Sequence, residues 1–240
     1  MSQQALSDAA EVSTRHLSCL ETGKAQPSRQ MVLVLGSALD IPLDERNALL
    51  ASAGFTPAYG ARSFDAPEMA PVRAAVAFLL ERFEPFPAIA VDRTWRLQGS
   101  NRGANRLLAA FVEPHPELLP IAGNAMHLMF HPRGLRPWIV DWERIAAITL
   151  SRLRHEALRE PALMTLYDEL LAYPGCAELP QEALVELGVL VPVELRRGEV
   201  ALRFATLITT LGTPVDATAQ GLSLELYYPL DEATEAWFEG

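Results

Sequence analysis

Apolar side chains recur at helical spacing through the first 55 residues, and turn signals interrupt them at short intervals. Ser2 is a typical N-cap for a first helix that turns Leu6 and Ala9 inward. Ser13 caps a second helix, so only a short turn at residues 10–12 separates the two. On the second helix the inward positions are Leu17 and Leu20, and the outward positions are Thr14, Arg15, Ser18 and Cys19. Two helices joined by so short a turn can place the second one in the major groove of DNA.

Two further helices are predicted before the composition changes. One begins at Pro27-Ser28 and ends at Asp40, and the next covers residues 43–53. Residues 56–66, with the sequence TPAYGARSFDA, are rich in Pro, Gly and Ala, as linkers often are. The expected organisation is an all-α domain at residues 1–55, a linker at 56–66 and a second domain at 67–240.

The pattern from residue 67 onward mixes helices with strands. Helical spacing of apolar residues predicts a helix over residues 67–84, which Pro85 ends. Apolar runs on both sides of the turn at residues 92–94 predict a hairpin over 87–98. Later helices are expected at 101–111, 124–131, 141–158, 161–173 and 180–187, and later strands at 192–196, 199–209 and 222–229. This order predicts an α+β domain with one antiparallel sheet.

The composition favours a soluble protein of the cytoplasm. Half of the 240 residues are hydrophobic, but no apolar run is long enough to span a membrane, and the N-terminus lacks the features of a signal peptide. Only two cysteines occur, Cys19 and Cys176, which fits a reducing compartment. The net charge of −10 argues against nonspecific binding to nucleic acids. Residues 13–29 differ, because they carry three basic side chains against one acidic side chain.

The chain carries no motif that indicates an enzyme. G-x-S-x-G, a Walker loop and G-x-G-x-x-G are all absent. His127 and His131 have the spacing of two metal ligands on one helical face, but no H-E-x-x-H motif and no nearby cysteine accompany them. The His131-Pro132 pair is typical of a helix end. We therefore expect no catalytic residue, no metal and no cofactor.

Residues 2–23, SQQALSDAAEVSTRHLSCLETG, resemble the helix-turn-helix of the XRE family of phage-repressor and Cro-like regulators. The shared pattern is S-Q-x-x-L-x-x-x-A-x-V-S-x-x-x-L-S-x-L-E-x-G. The chain departs from the family at Glu11, where the turn glycine usually stands. The family also has a helix before the Ser-Gln pair, and we expect this first helix to be missing because the chain starts at Met1. The resemblance implies base reading by Thr14, Arg15 and Cys19, and phosphate contacts by Gln3, Lys24 and Arg29.

Three later blocks, at residues 85–101, 130–146 and 210–234, resemble the MmyB-like ligand-binding domain of bacterial regulators. The family commonly has Asn where this chain has Asp141. The resemblance implies a PAS-like α+β fold with an antiparallel sheet and a cavity for an apolar, fatty-acid-like ligand. Candidate pocket residues are Phe86, Trp95, Trp138, Trp142 and Tyr227, and candidate partners of a carboxylate head group are Arg93, Arg96 and Arg136.

Together these features predict a cytoplasmic, homodimeric transcription regulator. Its partners would be a double-stranded DNA operator and an apolar small molecule, such as a bound fatty acid, and it would not act at a membrane. An alternative reading is a ligand-binding or dimerisation module whose truncated helix-turn-helix does not bind DNA on its own. A genuine start at Met1 would favour the alternative.

Overall fold

The computed structural model describes residues 1–158, 160–180 and 190–240. Four short helices with brief connections form residues 3–52. The side-chain oxygens of Ser2, Ser13 and Ser28 each accept a backbone N–H of the helix that follows, so the predicted caps form. The four helices are α1 (Gln3–Ala9), α2 (Thr14–Glu21), α3 (Arg29–Ala38) and α4 (Leu43–Ser52). The all-α N-terminal region predicted from the sequence is confirmed.

The inward face of α1 differs from the prediction. Ser7 and Ala10 are buried, whereas Ala9 is exposed and Leu6 is half-buried. On α2, Leu17 is buried as expected. The side chain of Ser7 is buried because its hydroxyl donates a hydrogen bond to the carbonyl oxygen of Val12 in the turn.

Five antiparallel strands form one sheet in the order β2-β1-β5-β4-β3. They are β1 (Ala88–Val91), β2 (Leu97–Ser100), β3 (Val193–Arg197), β4 (Val200–Thr210) and β5 (Ser223–Pro229). The predicted hairpin is β1–β2, and the predicted late strands are β3, β4 and β5. The α+β arrangement with an antiparallel sheet is therefore confirmed.

Helices cover both faces of this sheet. They are α5 (Ala70–Arg82), α6 (Arg102–Phe111), α7 (Ala125–Phe130), α8 (Trp142–Ala157), α9 (Pro161–Leu171) and α11 (Glu232–Glu239), with 3-10 turns at Pro116–Leu118 and Arg136–Trp138. The chain also forms a 3-10 turn at Pro67–Met69 and the short helix α10 (Ala217–Gln220). The helix predicted over 180–187 lies outside the described residues. On one face Ala88 and Ala90, both fully buried, pack with Val76 and Leu80 of α5. The opposite face, which includes Ile89, joins the larger core with residues of α6, α7, α8 and α9.

Asn101 attaches α6 to the sheet. Its Oδ1 accepts the backbone N–H of Ala104, which caps α6, and the N–H of Ala88 at the start of β1, at 2.9 and 3.0 Å. Its Nδ2 donates to the carbonyl oxygens of Phe86 and Leu80 at 2.7 and 3.2 Å. One buried amide thus fixes where α6 begins and how it meets β1.

The described chain forms two compact units. The helical unit comprises Met1–Ala70 together with Leu211–Gly221, and the sheet unit comprises Pro71–Thr210 together with Leu222–Gly240. Residues 56–66, suggested as a linker, contain hydrogen-bonded positions: Oδ1 of Asn47 accepts the N–H groups of Ala58 and Tyr59 at 2.9 and 3.0 Å. The membership of residues 211–221 in the helical unit has no counterpart in the sequence pattern.

Residues 211–221 connect β4 to β5 yet make their polar contacts inside the helical unit. Asp216 forms an ion pair with Arg62 at 2.8 Å, and the N–H of Ala217 donates to the carbonyl oxygen of Gly60 at 2.7 Å. The Oε1 of Gln220 accepts the N–H of Leu43 at 2.7 Å. Because Pro42 supplies no side-chain cap to α4, Gln220 satisfies one of the free amides at that helix start.

Candidate functional site

The turn between α1 and α2 is closed by the main chain. The N–H of Val12 donates to the carbonyl oxygen of Ser7 at 3.0 Å, and the Ser7 hydroxyl donates back to Val12. Glu11 lies in the left-handed region with φ of 53°. This conformation favours glycine. The departure from the family pattern at this position therefore has a backbone cost.

The six predicted DNA contacts lie on or beside α2 and at the starts of α1 and α3. Arg15 is exposed and Cys19, one helical turn later, is a half-buried free thiol. Gln3 donates from Nε2 to Oε2 of Glu21 at 2.6 Å, so its amide ties the start of α1 to the end of α2. Thr14 is half-buried at the first position of α2, and Lys24 and Arg29 are exposed.

The sheet unit contains a cavity of about 800 Å³, within the range of small-molecule sites. One wall is the sheet face that carries Ile89, Leu97 and Phe204, and the other walls come from α6, α7 and α8. Its lining is mostly aliphatic. An apolar ligand that covers this lining removes apolar surface from water, which favours binding.

The predicted pocket aromatics divide into two groups. Trp95 and Tyr227 line the cavity. The described residues that line the cavity do not include Phe86, Trp138 or Trp142. Each of the three packs elsewhere: Trp142 on the ring of Phe130 at 5.1 Å, Phe86 on Phe83 and Phe238, and Trp138 beneath the guanidinium of Arg197.

Trp95 reaches the cavity through an unusual backbone. Its φ is 64°, a left-handed conformation that bulky residues rarely adopt. The preceding turn supports it, because Oδ1 of Asp92 accepts the N–H groups of Thr94 and Arg96 at 2.8 and 3.0 Å. The buried indole lines the cavity, and the guanidinium of Arg152 lies 5.5 Å from its centre. Strain of this kind is held by the surroundings and is concentrated at functional sites.

Of the three arginines suggested as partners of a carboxylate head group, two have other partners. Arg93 pairs with Glu160 at 2.8 Å. Arg136 donates to the carbonyl oxygen of Pro174 at 2.7 Å, and Arg96 is exposed. The described cavity wall includes none of them. The guanidinium at the wall is that of Arg152 on α8.

Arg152 belongs to a polar end of the cavity that the sequence analysis missed. Its Nε lies 3.0 Å from Oε1 of Glu156, one turn later on α8. On the sheet side, the hydroxyl of Tyr227 donates to Oε2 of Glu225 at 2.9 Å. All four of these residues line the cavity. On β5, Glu225 lies on the same face as Tyr227, whereas Leu224 and Leu226 pack on the opposite face with α5. The alternation in the sequence would therefore have marked Glu225 as a solvent-exposed position.

Burial changes the ionisation of Glu225 and Tyr227. Burial raises the pKa of Glu225 above its usual value, and the Tyr227 hydrogen bond and the charge of Arg152 oppose the change only in part. Burial also raises the pKa of Tyr227 well above its usual value, and Glu225 adds to the effect. The cavity therefore holds a carboxyl group that takes up a proton more readily than an exposed glutamate does.

The histidines suggested as metal ligands have hydrogen-bond partners. Nδ1 of His127 lies 3.0 Å from the Tyr173 hydroxyl, and its Nε2 lies 3.1 Å from Oε2 of Glu169. His131 follows the last residue of α7. In residues 1–158, 160–180 and 190–240 no group of three or more His, Cys, Asp or Glu side chains is placed to hold a metal. No helix in the same ranges is both long and apolar enough to cross a membrane.

Comparison with known proteins gives one result for the sheet unit. No curated protein matches the chain. Residues 72–239 match the MmyB-like transcription regulator ligand binding domain, and this match covers the sheet, the cavity and both Glu225 and Tyr227. The chain therefore belongs to the family of proteins that carry the MmyB-like transcription regulator ligand binding domain.

Proposed function

We propose that this protein is a sequence-specific, DNA-binding transcription regulator whose sheet unit senses an apolar, fatty-acid-like small molecule. In this proposal it works in the cytoplasm as a homodimer on a double-stranded operator. It acts by binding and needs no cofactor and no catalytic step.

The cavity supports the ligand part of the proposal. It has the volume of a small-molecule site, and its walls are mostly aliphatic. Each buried methylene group of a ligand chain would contribute about 0.8 kcal/mol. A long chain would therefore bind tightly enough to survive purification.

The helical unit supports the DNA part. Its α1 and α2 are joined by a short, hydrogen-bonded turn, and α2 leaves Arg15 exposed. An arginine can take the O6 and N7 of guanine as a bidentate pair. Lys24 and Arg29 are exposed close to α2 in the chain, where they would meet phosphates.

The observation that carries the proposal is the path of the chain between β4 and β5. Both strands line the cavity, through Thr206 and Tyr227 among others. The residues that connect them, 211–221, belong to the helical unit and hold the start of α4 through Gln220. A ligand that displaces either strand therefore acts on a segment built into the helical unit. Regulation needs a ligand that prefers one of two such arrangements.

DNA binding is tested by selecting operators from random duplexes and measuring affinity by fluorescence anisotropy. Arg15→Ala should reduce the preference for selected over random DNA, because it removes a base contact. Lys24→Ala should weaken binding to both pools and make the salt dependence shallower, because it removes a phosphate contact. Equal losses on both pools for Arg15→Ala would contradict the assignment of base reading. No binding to any duplex would favour the reading of a ligand-binding or dimerisation module.

Ligand binding is tested by native mass spectrometry of the purified chain and by thermal shifts with fatty acids of increasing length. Longer chains should raise the melting temperature more. Ala125→Phe, which adds a ring to the cavity wall, should reduce the shift, and Ala109→Phe on the exposed side of α6 should leave it unchanged. No stabilisation at any length would contradict the ligand assignment.

A further inference from the structure

We infer that the cavity recognises its ligand through a polar end that donates a hydrogen bond, such as a hydroxyl or an ammonium group, with Glu225 as the acceptor. An ionised carboxylate at this end is disfavoured. The inference rests on the proposed function, in which the cavity holds the apolar chain of the same ligand.

Glu225 is an acceptor with capacity to spare. It is only 7% exposed, and it belongs to the cavity wall on β5, where it pairs with Ile89 of β1. Its Oε2 accepts the hydroxyl of Tyr227. Among the residues that the structure describes, its Oε1 has no hydrogen-bond partner. A carboxylate offers about four acceptor positions, so the Tyr227 bond leaves most of them unused.

The only cation described at the cavity wall is already engaged. The Arg152 guanidinium pairs with Glu156 and lies over the Trp95 ring, and its side chain is 46% exposed. Two carboxyl groups, Glu156 and Glu225, therefore share the lining with one guanidinium. The described lining also includes His155, whose Nδ1 contacts the backbone carbonyl oxygen of Ser151 at 2.7 Å. The polar end thus has no surplus of positive charge for an anion.

These charges decide which head groups fit. A hydroxyl or ammonium group donates to Glu225 and gains a charge-assisted hydrogen bond. An ionised carboxylate would instead place a like charge beside Glu225 inside an apolar cavity, where the repulsion is little screened. A fatty acid would enter in its protonated form, with its O–H donated to Glu225, and would bind less tightly as the pH rises.

A stabilising role alone does not explain Glu225. Burying a carboxyl group with a single hydrogen bond costs free energy compared with the apolar residue that the neighbouring strand positions carry. The lost hydrogen bonds are recovered when a donor from the ligand reaches the carboxyl group. This favours a role in binding.

The test compares four ligands with one decyl chain and different ends: decanol, decylamine, decanoate and methyl decanoate. Binding to the full chain is measured by calorimetry at about pH 8, where decanoate is ionised. Decanol and decylamine should bind at least about tenfold more tightly than decanoate, a difference of about 1.4 kcal/mol. The methyl ester, which cannot donate, should bind less tightly than decanol.

Glu225→Gln is the decisive variant because it keeps the shape and removes the charge. It should abolish the preference for decylamine over decanoate. Glu156→Gln is the matched control, since its carboxylate is about half exposed and paired, and it should change the preference by no more than about threefold. Tyr227→Phe, which frees Oε2, should keep the preference.

The outcomes separate the inference from the proposed function. If no decyl compound binds, both are wrong. If decanoate binds as tightly as decanol, or if Glu225→Gln keeps the wild-type preference, the cavity holds an apolar chain but Glu225 does not select its end. Should Glu225→Gln fail to fold, the wild-type pH profile decides: decanoate affinity must fall with rising pH, and a flat profile overturns the inference.

Discussion

Asn101→Ala should destabilise the sheet unit strongly, because one buried amide holds four backbone groups. The substitution removes the acceptor for the N–H groups of Ala88 and Ala104 and the donor to the carbonyl oxygens of Phe86 and Leu80. Asn101 itself is 5% exposed, so water does not readily replace the lost partner.

The magnitude follows from these contacts. Loss of an N-cap costs about 1 kcal/mol, and a buried amide left without a partner costs about 1–3 kcal/mol. The carbonyl groups lose less because other donors can approach them. The expected loss of unfolding free energy is about 3 kcal/mol, which for a unit of this size lowers the melting temperature by roughly 6–12 °C.

Tryptophan fluorescence during urea unfolding measures this change directly. All four tryptophans, Trp95, Trp138, Trp142 and Trp237, belong to the sheet unit, so the signal reports on that unit. Asn105→Ala is the control, because Asn105 lies exposed on the same helix and its Oδ1 accepts only an exposed hydrogen bond from the Ser100 hydroxyl. It should cost less than about 0.5 kcal/mol. Asn101→Asp keeps the acceptor and loses the donor. Its free energy of unfolding should lie between those of Asn101→Ala and Asn105→Ala, or below both if the aspartate charge stays buried. Equal losses of unfolding free energy for Asn101→Ala and Asn105→Ala would show that the Asn101 amide does not hold α6 to the sheet.

Three other perturbations test further parts of the structure. Glu11→Gly should stabilise the helical unit by about 0.5–1 kcal/mol, since glycine adopts the left-handed conformation without strain, and slower amide exchange in α1 and α2 would report it; faster exchange would contradict it. Asp216→Ala removes the ion pair with Arg62 and the cap of α10. It should abolish the effect of ligand on DNA affinity, while the protein still binds ligand alone and DNA alone. If ligand still changes DNA affinity in this variant, residues 211–221 do not connect the cavity to the helical unit. Because burial raises the pKa of Glu225, the folded chain keeps a proton that the unfolded chain has lost; this contribution to stability is complete below the ordinary glutamate pKa and is lost as the pH rises through the raised pKa. Urea unfolding at a series of pH values from the ordinary glutamate pKa upward should show that fall in the wild type relative to Glu225→Gln, and parallel curves would contradict it.

The local elements of this chain are readable from its sequence. Ser2 and Ser13 are the N-caps that the sequence predicts, and Ser28 and Asn101 cap the helices predicted to begin beside them, because a cap needs only a side-chain oxygen and an amide two or three residues later. The β1–β2 hairpin and the change from helices to a mixed α+β pattern were readable for the same reason. Apolar periodicity also separated Leu17 from the exposed positions of α2, although it misplaced Ala9 on α1.

The strand order, the composition of the cavity wall and the place of residues 211–221 became visible only in the folded chain. These features depend on contacts between residues far apart in the chain, such as Arg62 with Asp216, which no local pattern encodes. Two tryptophans show what a sequence pattern cannot tell. The pattern predicts that both Trp95 and Trp142 are buried. In the structure the left-handed backbone at Trp95 directs its indole to the cavity, whereas the indole of Trp142 packs on Phe130. Glu225 became a candidate only when the fold enclosed it, because burial, not residue type, alters its chemistry.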